Sequence, residues 1–123
     1  MTEFEYWYTA TVLSIHDGDT MTLRIDMGRR IYIEDSIRLY RINAPELSQA
    51  GGKEARDYLR LLVPIGSVVR VQTFRNVEDK YGRWLGDVYL DDVQINDRMV
   101  ETGHARLYGK TMNVMLRRAT PDK

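Results

Sequence analysis

A chain of 123 residues, 43% hydrophobic and 29% charged, has the composition of a single soluble globular domain rather than a disordered chain. Its 18 basic and 18 acidic residues balance, so no net field draws the whole molecule onto nucleic acid. The absence of cysteine excludes a disulfide framework and a thiolate metal site, and no apolar run approaches the roughly 20 residues of a membrane span.

The opening MTEFEYWYTATVL has acidic residues where a secretory leader needs basic ones, and it lacks an apolar h-region. A cytoplasmic location is the expectation, although a cysteine-free chain is also compatible with secretion. TATVLSI (9–15) is rich in β-branched residues and reads as a strand. TMTLRID (20–26) alternates, with Met21, Leu23 and Ile25 on one face and Thr20, Thr22 and Arg24 on the other. HDGD between these runs supplies the turn of a hairpin. Gly28 marks the next turn; RIYI and SIRLYRI follow as strand, with EDS between them predicted as a bulge or bend.

Beyond Gly52 the period changes. Ala55, Tyr58, Leu59 and Leu62 form one stripe of an amphipathic helix, stopped by Val63-Pro64 and Gly66. SVVRVQTF (67–74) and WLGDVYL (84–90) are the last strands, and Asp91-Asp92 suits a tight turn. Asn96 is the predicted cap of a second helix that ends at Gly103. Met112, Met115 and Leu116 are placed to form one apolar turn in the tail. Three strands, a helix, two strands and a helix make a mainly β chain with helices, of α+β class. The order fits a five-stranded Greek-key OB barrel with two to three helices, and also a generic α+β sandwich. One domain over 1–123 is expected, with its core at 8–108 and a short tail at 109–123.

Several stretches concentrate polar residues that can do chemistry. Asp17 and Asp19, across a glycine in DGDT, are oxygen donors suited to a hard cation, and equally the residues of an ordinary turn. In RLYRINAPEL (38–47), Arg38 requires an outward face or an anionic partner, and Glu46 follows a proline that stiffens its backbone. Arg38 and Asn43 are an odd number of residues apart, so an ideal strand points them to opposite faces; they share a site only if the chain bulges or turns between them. DKYGR (79–83) puts Lys80, Tyr81 and Arg83 on one loop, which is either a plain turn or a place to hold a phosphate and stack a base. Only four of the 18 basic residues are lysines, and arginine suits bidentate phosphate contacts.

Taken in order, IHDGDTMTL, IRLYRINAPEL, GKEARDYLRLL, DKYGRWLGDVYL and VQINDRMVETGHA resemble the staphylococcal nuclease family over roughly residues 9 to 108. The resemblance implies an OB-fold and Ca²⁺-dependent endonuclease activity on DNA and RNA, preferably single-stranded, with little sequence preference and 3′-phosphate products. It implies that Asp19 ligates the metal directly, that Asp17 supports it through water, and that Asn43 and the Ala44 carbonyl complete the protein donors. Glu46 would activate water, Arg38 and Arg83 would grip the scissile phosphate, and Lys80 and Tyr81 would contact the nucleotide. Asn43 stands where family members commonly carry aspartate, which predicts weaker metal binding. A monomer is expected. The alternative expectation is a catalytically weak or inactive OB module that binds nucleic acid or protein.

Overall fold

The structure, a computed structural model, describes residues 5–74 and 83–107. Alternation of apolar residues makes the strands, and their inward faces make the core. Strand β1 (Glu5–Asp17) pairs on one side with β2 (Thr20–Asp26) and on the other with β5 (Val68–Phe74), both antiparallel. Strand β3 (Tyr32–Leu39) pairs with β2, and β6 (Trp84–Leu90) pairs with β5. A parallel pairing of Ile37–Leu39 with Trp84–Gly86 joins β3 to β6 and closes a five-stranded barrel. That order and closure are those of an OB-fold, so the barrel rather than the sandwich is the architecture.

Val12, Met21, Leu23, Ile25, Ile37, Leu39, Val71 and Val88 fill the barrel. Two helices are present among the described residues, and no helix there is long and apolar enough to cross a membrane. Helix α1 (Gly52–Leu62) buries Ala55 and Leu59 against the core and leaves Tyr58 and Leu62 at its rim, as the stripe predicts. Helix α2 (Ile95–Glu101) buries Ile95 and Met99. Short strands β4 (Ile42–Asn43) and β8 (Arg106–Leu107) form a separate antiparallel pair, and β7 (Val93–Gln94) folds back on β6 after the Asp91-Asp92 turn.

Two expectations change. EDS makes no bulge: β3 runs in unbroken register from Thr20↔Arg38 to Asp26↔Tyr32. Its outer half lies beyond the β6 pairing, so Glu34 and Asp35 reach solvent without any break in the strand. The irregularities fall in β1 instead, between Val12 and Ser14 and between Ile15 and Asp17, which lets Val12 and Ile15 both face inward although three residues apart. Asn96 is not the cap of α2 either. Gln94 takes that role, its side chain accepting from the Asp97 N–H at 3.1 Å. Asn96 is fully buried and braces three pieces of backbone: it accepts from Val88 N–H and donates to the carbonyls of Tyr40 and Gly86. The predicted apolar turn at Met112–Leu116 lies outside the described residues.

Candidate active site

One end of the barrel gathers Asp17, Asp19, Arg38, Asn43 and Ala44. The two-residue turn Gly18-Asp19 joins β1 to β2, and the register Thr20↔Arg38 sets the end of β3 beside it. Leu39 N–H donates to the Asp19 carbonyl at 2.8 Å, tying turn and strand together. The chain then turns at Tyr40-Arg41, where Arg41 takes a positive φ of 71°, and resumes as β4. That turn resolves the odd spacing. Arg38 Nη2 donates to Asn43 Oδ1 at 2.8 Å, so the two side chains share one site.

The same guanidinium nitrogen lies 3.5 Å from Asp19 Oδ2. A guanidinium only donates, so the amide must turn its oxygen toward it, and two oxygens flank one cationic atom. Asp19 is buried; its Oδ2 accepts from Ala44 N–H at 2.8 Å and its Oδ1 from the Thr20 hydroxyl at 3.0 Å. Asp17 Oδ1 accepts from the Asp19 N–H at 3.2 Å, which holds the turn from behind. Burial pushes the Asp19 carboxyl up to about 6; Asp17 adds to this, while the Ala44 N–H and Arg38 oppose it. An ionised carboxylate there is held against a desolvation penalty that a cation would relieve.

Glu46 is exposed at the edge of the loop that follows Pro45. Its N–H donates to Gln49 Oε1 and its carbonyl accepts from Gln49 N–H, both at 2.9 Å, closing a tight turn. Arg83 directly precedes β6, whose Trp84 pairs with Ile37, and this puts it at the same end of the barrel as Arg38. Lys80 and Tyr81 lie outside the described residues.

Small residues hold these pieces at close range. A Cβ on Gly18 would meet the Cβ atoms of Ala44 and Ala55 at 2.7 Å, so the carboxylate turn, the loop and helix α1 touch through three residues with little or no side chain. A Cβ on Gly52 would sit 1.9 Å from the Glu46 carbonyl oxygen, so only glycine lets α1 begin against the Glu46 backbone. Behind the loop, Arg41 Nη2 donates to both Asp87 oxygens at 2.7 and 2.6 Å in a buried ion pair. Sequence reading missed these supports. The adjacent glycines of GGKEAR and the charged Arg41 and Asp87 within apolar strands were the available signals.

Among the described residues no three of His, Cys, Asp or Glu come together to hold a metal. The donors that converge are the Asp19 carboxylate and the Asn43 amide oxygen, all-oxygen and so suited to a hard cation. With one carboxylate in direct reach, the set fits a weakly held ion. A cleft of about 690 Å³ adjoins the loop, with Asn43, Pro45, Glu54, His104 and Arg106 in its walls. Asp19, Arg38 and Glu46 do not line it, so it neighbours the charged cluster without containing it.

Comparison with known proteins bears on this arrangement. The family described as staphylococcal nuclease homologue matches residues 36–119. A protein of Escherichia coli O157:H7 named an uncharacterized endonuclease is 38% identical over 98 residues, 79% of this chain and 59% of its own length. A Haemophilus influenzae protein of the same name is 37% identical over 100 residues, 81% of this chain and 52% of its own. A rice protein named a probable staphylococcal-like nuclease is 40% identical over 72 residues, 58% of this chain and 21% of its own. The chain thus spans little more than half the length of these two bacterial relatives.

Proposed function

Because the chain belongs to the family of staphylococcal nuclease homologues, we propose that it is a Ca²⁺-dependent endonuclease that hydrolyses DNA and RNA with little sequence preference. The observation that carries this reading is the meeting of Arg38 with both Asp19 and Asn43, one short loop away from Glu46. A phosphodiester is anionic and repels a nucleophile, so its hydrolysis needs a positioned water and donors aimed at the charge that develops on phosphorus oxygens. Glu46, exposed and braced by its turn with Gln49, takes the proton of the attacking water. Arg38 and Arg83 donate to the phosphate oxygens, and Lys80 and Tyr81 contact the nucleotide, preferably in a single strand. The P–O5′ bond breaks, the O5′ leaving group takes up a proton, and a 3′-phosphate remains. Asp19 and Asn43, with the Ala44 carbonyl, are the residues that would hold Ca²⁺, which when bound supplies Lewis-acid polarisation of the phosphate.

A second reading, a barrel that binds nucleic acid without cutting it, is favoured by the lack of a three-carboxylate cluster among the described residues. One assay separates the two. Denatured DNA incubated with the protein in Ca²⁺ should be cleaved, with the rate falling about a hundredfold or more in chelator, in Glu46→Gln and in Arg83→Ala. Cleavage no greater than in those variants, in Ca²⁺ or in Mg²⁺, would leave the binding module as the function.

A further inference from the structure

The hairpin of β2 and β3 runs from the active site to a tip of unusual backbone. In β2 and β3, Thr22, Arg24, Asp26, Tyr32, Glu34, Ser36 and Arg38 are exposed or half-buried, while Met21, Leu23, Ile25 and Ile37 face the core. Arg38 at one end of the hairpin and Tyr32 at the other are therefore on one outer face, with Thr22, Ser36 and Arg24 between them. Six residues of strand separate the ends, about 20 Å at the usual rise. Near the tip the Arg24 guanidinium lies 4.2 Å from the Tyr32 ring centroid, a cation over an exposed aromatic.

The turn itself is Gly28–Ile31, closed by Ile31 N–H donating to the Gly28 carbonyl at 3.0 Å. Its two central residues are Arg29 and Arg30, at φ 56° and 65°. A turn with both central residues at positive φ favours Asn-Gly or Asp-Gly, because L side chains with a Cβ are disfavoured there. Two consecutive arginines are the wrong residues for this backbone and the right ones for an anion. Both are exposed, and neither joins the ion pairs found among the described residues. Exposed Met27 and Ile31 flank them. Of the carboxylates on this face, Asp26 accepts from the Gly28 N–H at 2.8 Å and serves the turn, and Glu34 sits opposite Arg24 in the register. Arginine at both positions costs backbone strain that Asn-Gly would avoid, and it places two cations at the tip.

We propose that this tip is a docking site for the phosphate backbone of single-stranded nucleic acid, holding the strand whose scissile phosphate lies at Arg38. Arg29 and Arg30 grip phosphates, and Tyr32 with Arg24 offers a stacking surface for a base. The inference rests on the nuclease reading and extends it to the path of the substrate.

The test is binding without cleavage, measured in chelator by fluorescence anisotropy of a labelled single-stranded oligonucleotide over a series of salt concentrations. Arg29→Asn/Arg30→Gly, which suits the turn, should raise Tm by a few degrees while weakening binding about tenfold at low salt. Its slope of log K against log salt should be shallower by about 1.4, the value for two lost contacts to a single strand. Arg29→Lys/Arg30→Lys should keep most of the affinity and the slope. Unchanged binding by the Asn/Gly variant would overturn the proposal, as would equal loss in both variants. Binding to phosphatidylserine vesicles with none to the oligonucleotide would assign the tip to a membrane surface and also overturn it. A wild-type protein that neither binds nor cuts DNA removes the nuclease reading; one that does both, with variants that match it, removes only the docking site.

Discussion

Asn43 accepts from Arg38 through its amide oxygen at 2.8 Å, and an aspartate there would accept the same bond while adding a negative charge beside Asp19. Two like charges raise each other's pKa and draw in a cation more strongly. Asn43→Asp is therefore expected to lower the Ca²⁺ concentration for half-maximal cleavage by roughly tenfold, the order of effect that one ligand charge has on such sites. A Ca²⁺ titration of Tm should move in parallel without recourse to activity. Identical titrations for the two proteins would mean that residue 43 is not a ligand. Ala44 is explained by its neighbours: its Cβ faces the space in which any Cβ on Gly18 would collide, so the loop lies against the turn through the smallest side chains available.

Between β3 and β4 the backbone reverses parity at Arg41, and the side chain of that residue is anchored where the turn needs it. The Arg41 side chain is 7% exposed, that of its Asp87 partner 2%, and Arg41 Nε has no acceptor. Burial pushes the Asp87 carboxyl up while Arg41 draws it down. Removing one partner leaves the other charge in an apolar setting. Asp87→Leu alone should cost about 3–5 kcal/mol of stability, whereas Arg41→Met with Asp87→Leu should recover most of it. Chemical denaturation of the two variants and the wild type measures this, and a double variant no better than the single one would show that the pair contributes more than mutual neutralisation. Legibility divides along the same line. The strands, α1 and the turns at Gly18, Gly28 and Asp91 follow from short-range periodicity and turn chemistry, so the barrel could be read from the chain. The Arg38–Asn43 contact could only be posed as a condition, because it depends on one positive φ at Arg41. Asn96 looked like a cap since its type suits caps, yet its three partners come from residues 8, 10 and 56 positions away, which no local pattern encodes. Gly52 read as a helix start, and its contact with Glu46 needed the fold to be seen.

Viewed as a whole, the barrel holds several carboxylates above their ordinary range, and that sets how its stability depends on pH. Asp19 is pushed up to about 6 by burial, and Asp97 to about 6 by burial and the nearby Asp87. In the unfolded chain both titrate near the usual 3.9, so between about pH 4 and 6 the folded state carries more protons. The contribution of these two groups to stability therefore rises as pH falls through 6 and levels off once the unfolded chain is protonated as well. The effect is larger for buried Asp19, on the order of a few kcal/mol, than for half-exposed Asp97, which solvent screens to about 1 kcal/mol or less. In chelator, the contribution of these two groups should raise Tm as the pH is lowered from 8 to 5. Asp19→Asn should raise Tm at pH 8 and flatten the profile, since an amide has no proton to take up. A cation at Asp19 competes with that proton, so Ca²⁺ should stabilise the protein more at pH 8 than at pH 5. Thermal melts across this range, with and without Ca²⁺, read both effects. A chelator profile that declines toward acid in the wild type and is unchanged by Asp19→Asn would show that this carboxylate is not held at the barrel end in the way its burial requires.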